Sequence, residues 1–402
     1  MRTYILLTTA LLLSVYAYTT SNTQLFDYHL SPKLSEVKAI QPTSQETPTD
    51  SSCSQLSGLA RSECWKNLID TKLNNKGVAV AFDTLAALYG SQPSFTLDCH
   101  TLTHDIGKYA YQKFSQGKDF DLSAKSSYCG YGFYHGFMEE MLHTTGTLNG
   151  AVKFCALVGV KLKDQTSDAE GACYHGIGHG VVADLPDPSL WGKAQAIIDN
   201  GLHLCEQVAN HDQQKLFRCA TGVFNAYEIA ASANKYNLHH DLADPLGICR
   251  KQKETYQRSC YTQLALVALT SSHHDFKGAV AFADLVQKDD LAIQTMQSLV
   301  VEMVKDPTYD FSKQVIFCRN LSPRFQVPCI SFYGEGLMKY GPPTQEYLKA
   351  TAFCGYTELS DIEHRACFDR ILSLLSIFYT KEKALAVCKQ TPIEYQWEGC
   401  RY

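Results

Sequence analysis

The chain has 402 residues, 45% of them hydrophobic, and a formal net charge of -5. That length supports a sizeable core, as two or three domains or as one continuous repeat array. The mild charge, with no run of Lys or Arg, excludes the electrostatic footprint of nucleic-acid binding and gives no acidic partner surface.

The chain opens with MRTYILLTTALLLSVYAYTTSN: one arginine, an apolar stretch from Ile5 to Tyr18, then small polar residues. This is the layout of a secretory signal. Val15 and Ala17 are the small residues a signal peptidase reads, so residues 1-17 are expected to be a signal peptide. The stretch is shorter than the about 20 residues a membrane-spanning helix needs. A membrane enters only if the segment stays uncleaved. Residues 18-52, including the Ser/Thr/Pro-rich QPTSQETPTDSS, read as a flexible linker. Residues 53-402 read as one α-helical repeat domain, with a His-rich part at about 95-185.

Behind an export signal, 16 cysteines imply disulfides and a secreted or periplasmic protein. No two lie closer than 11 positions, which excludes CxxC-type zinc, redox and haem-attachment motifs. Most fall into sequential pairs: Cys53 with Cys64, Cys155 with Cys173, Cys205 with Cys219, Cys249 with Cys260, Cys318 with Cys329, Cys354 with Cys367, and Cys388 with Cys400. Small, apolar segments recur before the first cysteine of several pairs, as in NGAVKFCALV, LKATAFCGY and KEKALAVCKQ. KGVAVAFDTL and KGAVAFADLV repeat the segment without its cysteine, and Ala283 stands where Cys155 stands in its relative. After the second cysteine the periodicity is helical, as in CWKNLIDTKL, CATGVFNAYEIA and CFDRILSLLSIF. Each unit therefore reads as helix, cysteine, loop, cysteine, helix, with a period of roughly 33 to 50 residues. The fold class expected is all-α, an open, curved array of helical hairpins without sheet.

This pattern resembles the secreted, disulfide-stapled members of the TPR-like helical-hairpin repeat superfamily, across residues 53 to 402. The resemblance is one of architecture. It implies an α-solenoid with intra-repeat disulfides and brings no catalytic function.

Three second helices align on their cysteines: CGYGFYHGFMEEMLH from Cys129, CYHGIGHGVVAD from Cys173 and CATGVFNAYEIA from Cys219. Gly132 and Gly136, Gly176 and Gly180, and Gly222 and Ala226 then form a stripe of small residues. Glycine weakens a helix by about 1 kcal/mol relative to alanine. Close approach of neighbouring helices is the expected compensation, and no strand precedes the motif to make it a phosphate loop.

Just before the second small residue stand His135, His179, Asn225 and, in the unit from Cys329, Glu335. His100 and His104, His135 and Glu139, and His175 and His179 are each four apart, as is His143 from Glu139, so each set shares a helix face. Such a pair is half of a metal site, and facing helices can complete it. His100, His104, His135, Glu139, His175 and His179 are therefore the candidate metal ligands, with Tyr134 or Tyr174 as an outer hydrogen-bonding partner. The cofactor expected is a transition metal ion, zinc, copper or iron, in a mono- or dinuclear site of a protein whose catalysis the sequence leaves open. Cys99 and Cys129 either bridge one another or supply thiolates to that site. Asn225, Glu335 and the later units are expected to buttress the site without reaching it.

Other readings follow from the same residues. The concave face of a solenoid suits a peptide or protein partner without catalysis. HDIGK at 104-108 is similar to the metal-binding His-Asp pair of the HD phosphohydrolases. Two histidines can also hold haem between them.

Overall fold

The computed structural model describes residues 53–92, 95–183, 187–306 and 310–396, all within the compact unit Glu46–Tyr402. The expected signal peptide and linker lie outside the described residues. The chain runs through α1 (Gly58–Lys76), α2 (Val78–Ser91), α3 (Thr96–Ser115), α4 (Gly132–Thr145), α5 (Leu148–Leu162) and α6 (Ala169–Ala183). It continues through α7 (Ala194–Ala209), α8 (Gln213–Ser232), α9 (Gly247–Arg250), α10 (Glu254–Ser271), α11 (Phe276–Asp284) and α12 (Asp289–Met303). Then follow α13 (Phe311–Arg319), α14 (Pro323–Lys339), α15 (Glu346–Cys354), α16 (Asp361–Ser373), α17 (Leu375–Phe378) and α18 (Lys381–Cys388). No strand occurs among the described residues, and no described helix is long and apolar enough to cross a membrane.

Local chemistry sets several helix starts. Asp212 accepts hydrogen bonds from the amides of Gln214 and Lys215 at 2.9 and 3.1 Å to cap α8, and Asp275 and Asp310 do the same for α11 and α13. Ser360 and Glu363 form a capping box at α16. Disulfides then tie successive helices: Cys155 to Cys173 joins α5 to α6, Cys205 to Cys219 joins α7 to α8, Cys249 to Cys260 joins α9 to α10, Cys318 to Cys329 joins α13 to α14, and Cys354 to Cys367 joins α15 to α16. Cys53 is bonded to Cys64 at the start of the array. Cys388 is also bridged, while Cys400, its expected partner, lies outside the described residues. A bridge closing a loop of this size contributes on the order of 2–3 kcal/mol. Ala283, where bridged hairpins carry a cysteine, is fully buried.

The helices sort into two layers. α3, α4, α6, α8, α10, α12, α14 and α16 pack side by side in that order as an inner layer, and α5, α7, α11, α13 and α15 back them from outside. Inner neighbours touch backbone to backbone. A Cβ on Gly136 of α4 would lie 2.0 Å from the His104 carbonyl oxygen of α3, and one on Gly107 of α3 would lie 2.1 Å from that of Phe133. Gly222 of α8 and Gly178 of α6 meet the carbonyls of His175 and Cys219 in the same reciprocal way, each at 1.9 Å. Both layers bury full-sized side chains, Phe133, Phe224 and Phe325 in the inner and Phe154, Ile197 and Phe353 in the outer. The layered array bends, as contacts between its two ends show.

The bend goes further than an open curve. Thr166 donates from its hydroxyl to the Ile377 carbonyl at 2.6 Å, and the Ser167 amide donates to the Ser376 carbonyl at 2.9 Å. The Tyr89 hydroxyl donates to the Tyr340 carbonyl at 2.5 Å. The array therefore closes on itself, and the expectation of an open solenoid is corrected. Replacing Gly136 or Gly222 by alanine is expected to lower the unfolding free energy by about 1–3 kcal/mol, read from urea midpoints. Gly90→Ala, where a Cβ meets nothing within 4 Å, should leave stability unchanged or raise it by up to about 1 kcal/mol. Equal effects at all three positions would remove backbone contact as the cause.

Candidate metal centre

The glycine contacts set the relative height of α3, α4 and α6, and so decide which side chains meet. His100 and His104 come from the first turns of α3, His135 and Glu139 from α4, and His175 and His179 from α6. The structure brings all six together. Ring centroids of His135 lie 5.1, 4.9, 4.8 and 4.7 Å from those of His100, His104, His175 and His179. His135 is thus the hub. The ligand nitrogens of His100, His104 and His135 all fall within 4.8 Å of one another, a group able to hold a metal ion. His143, by contrast, is exposed on the last turn of α4.

His100 Nδ1 lies 2.8 Å from the Cys129 carbonyl, so it donates there and its Nε2 lone pair points inward. That carbonyl is presented by three consecutive residues with positive φ, Cys129 at 54°, Gly130 at 73° and Tyr131 at 68°. The left-handed conformation costs on the order of 1–3 kcal/mol at each non-glycine residue. Its effect is to aim a hydrogen-bond acceptor at His100. The Cys99–Cys129 bridge holds the same turn, which settles the earlier alternative against thiolate ligation.

His104 Nε2 lies 3.2 Å from His100 Nε2. Two nitrogens bound to one tetrahedral zinc at about 2.0–2.1 Å stand about 3.4 Å apart, so this spacing suits a shared ion. His175 Nδ1 sits 2.8 Å from Thr221 Oγ1, a buried hydroxyl on α8, leaving its Nε2 for the interior. His179 Nδ1 is paired with the Glu139 carboxylate at 2.8 Å. His179 Nε2 and His135 Nδ1 are buried without a hydrogen-bond partner. Each buried orphan of this kind costs about 1–3 kcal/mol. A metal ion is the natural recipient of such lone pairs.

Electrostatics point the same way. Burial, opposed by the Cys129 carbonyl and reinforced by the charges of Lys305 and Lys339, lowers the pKa of His100 to about 4. Burial also holds His104, His135 and His175 well below the ordinary imidazole value, with help from neighbouring rings and, at His175, from Arg218. Neutral imidazoles at pH 7 are ligands in waiting. Burial alone would raise Glu139, but His179, His104 and Lys108 overcome it and bring its pKa to about 2, so it stands as a carboxylate.

Several expectations need correction. Tyr134 is hydrogen-bonded to Ser126 at 2.7 Å and Tyr174 packs beneath Lys215, so neither hydroxyl serves the histidines. Asp105 pairs with Lys66 at 2.8 Å rather than joining His104, which removes the HD-type reading. Haem has no slot, because His135 packs against the rings on either side of it. Of the later positions, Glu335 pairs with Arg370 and Gln297 and stays out of the cluster. The later units do approach it, however: the charges of Lys305 and Lys339 act on His100 because the array closes. Thr221 was not anticipated, although it occupies the place after Cys219 that His175 occupies after Cys173.

The four lowered imidazoles predict an acid-sensitive fold. Below the unfolded value of about 6.5, the unfolded chain takes up protons that the folded chain does not, so stability falls as pH falls. With chelator present, the urea midpoint is expected to hold steady above pH 7 and to drop as pH falls from 6.5 towards the folded value of about 4 at His100. A midpoint level across that window would contradict the burial of neutral histidines. No family model, no curated protein and no solved structure matches the chain.

Proposed function

We propose that the chain is an exported metal-binding protein whose closed helical array holds one or two transition-metal ions on His100, His104, His135, His175, His179 and Glu139. The observation that carries this reading is the buried, unpartnered state of His135 Nδ1 and His179 Nε2 at the centre of a five-histidine cluster. A structural polar core would satisfy those atoms internally. His100, His104 and His135 form one triad, and His175, His179 and Glu139 supply nitrogen and oxygen donors for a second ion or for a wider first site. Export is supported by the signal-like N-terminus and by disulfides throughout the described array.

Imidazole with carboxylate suits zinc, copper and iron, and the bridged cysteines add no sulfur. A bound ion with a coordination position left open to the interior would act as a Lewis acid or activate water. The chain's own contribution is to keep His100, His104, His135 and His175 neutral, to fix the tautomers of His100 and His175 through Cys129 and Thr221, and to hold Glu139 ionised.

Elemental analysis of untagged protein is expected to find one or two transition-metal equivalents per chain. A His135→Ala, His179→Ala double variant should lose them, while Asn225→Ala and Glu335→Ala should keep them. Metal-free protein that stays metal-free after dialysis against zinc, copper or iron, or a double variant that retains its metal, would refute the assignment.

A further inference from the structure

Lys305 follows α12 directly and Lys339 is the last residue of α14, both near the Glu302 carboxylate. Lys305 Nζ lies 2.6 Å from Glu302 Oε2, whereas Lys339 Nζ stands 3.7 Å from Oε1, which already accepts the Tyr340 hydroxyl. One carboxylate thus faces two ammonium groups and bonds closely to only one. The Tyr340 ring lies under both, 4.2 Å from Lys305 Nζ and 4.9 Å from Lys339 Nζ, a platform that favours positive charge. Closure of the array fixes that platform, since Tyr89 holds the Tyr340 carbonyl. Glu335 is committed to Arg370 and Gln297, and Arg218 to Asp168. Two ammonium groups therefore share the one Glu302 carboxylate, and Lys339 is the more loosely held of the two.

This pair lies near the start of α3: Tyr340 is tied to Tyr89 at the end of α2, the charges of both lysines act on His100, and that of Lys339 acts on His175. The Lys339 side chain keeps 43% of its exposure and that of Lys305 26%, so a solute can reach both.

We propose that Lys305 and Lys339 form an oxyanion subsite beside the histidines, taking the phosphate or carboxylate group of a small substrate that lies against the metal. The metal side of this arrangement rests on the function proposed above. The lysine side does not. Ammonium groups held over an aromatic face, with one carboxylate between them, recruit a compact anion by charge-assisted hydrogen bonds.

The test is isothermal titration of inorganic phosphate and of acetate into the full exported chain, zinc-loaded and chelator-stripped. At least one of the two is expected to bind, and Lys339→Gln to weaken it by about tenfold, with zinc content unchanged and Lys339→Arg restoring affinity. Binding of phosphate alone assigns a phosphate-bearing substrate, and of acetate alone a carboxylate. If Lys339→Gln fails to give a native helical spectrum, Lys305→Gln carries the same comparison. Absence of binding by both anions, or affinity indifferent to these lysine substitutions, would overturn the subsite. A chain that takes up no zinc but binds the anion through Lys339 would leave the subsite standing and defeat the metal centre instead.

Discussion

Backbone-to-backbone contact between inner helices is the constraint from which the rest follows. Gly107 against Gly136, and Gly178 against Gly222, let α3 meet α4 and α6 meet α8 with carbonyl oxygens about where a Cβ would stand. Glycine weakens each helix, and the array tolerates this because disulfides and packing restore what propensity removes. The same contacts determine the register between helices. A register shift of one residue would rotate a histidine about 100° around its helix and out of the cluster.

Two consequences meet at the centre. The array curves until residues after α16 reach those before α6. Close contact between inner helices brings the histidines of α3, α4 and α6 together, and closure brings Lys305 and Lys339 near them. His100, His104, His135 and His175 remain neutral because burial opposes their charge, and the nearby lysines reinforce this at His100 and His175. Such a cluster strains the fold when its nitrogens go unpartnered, which is the state in which a metal ion is most strongly favoured.

The six candidate ligands were legible because each pair is four apart and each helix is phased by its own cysteine, so His135 and His179 fall at one register without any structure. Gly136 and Gly222 were legible for the same reason. Gly107 and Gly178, their reciprocal partners, were not: Gly178 lies on the face of α6 away from Gly176 and Gly180, and α3, which carries Gly107, was not among the three aligned helices. Thr221 was readable in principle from its place two after Cys219. The Cys129 carbonyl was not, since an acceptor aimed by residues with positive φ leaves no mark in side-chain identity. Closure was equally hidden. It joins residues far apart in the chain, Thr166 with Ile377 and Tyr89 with Tyr340, and no local pattern records it. The nearness of Lys305 and Lys339 to His100 depends on that closure and leaves no mark in the sequence around them.

The central claim is that imidazole nitrogens on three glycine-packed helices, and no cysteine, hold the metal. X-ray absorption at the edge of the bound metal tests it most directly. The account predicts a first shell of nitrogen and oxygen, at about 2.0–2.1 Å if the ion is zinc, with the outer-shell scattering of at least three imidazoles. A sulfur scatterer at about 2.3 Å, or a shell without imidazole, would contradict it.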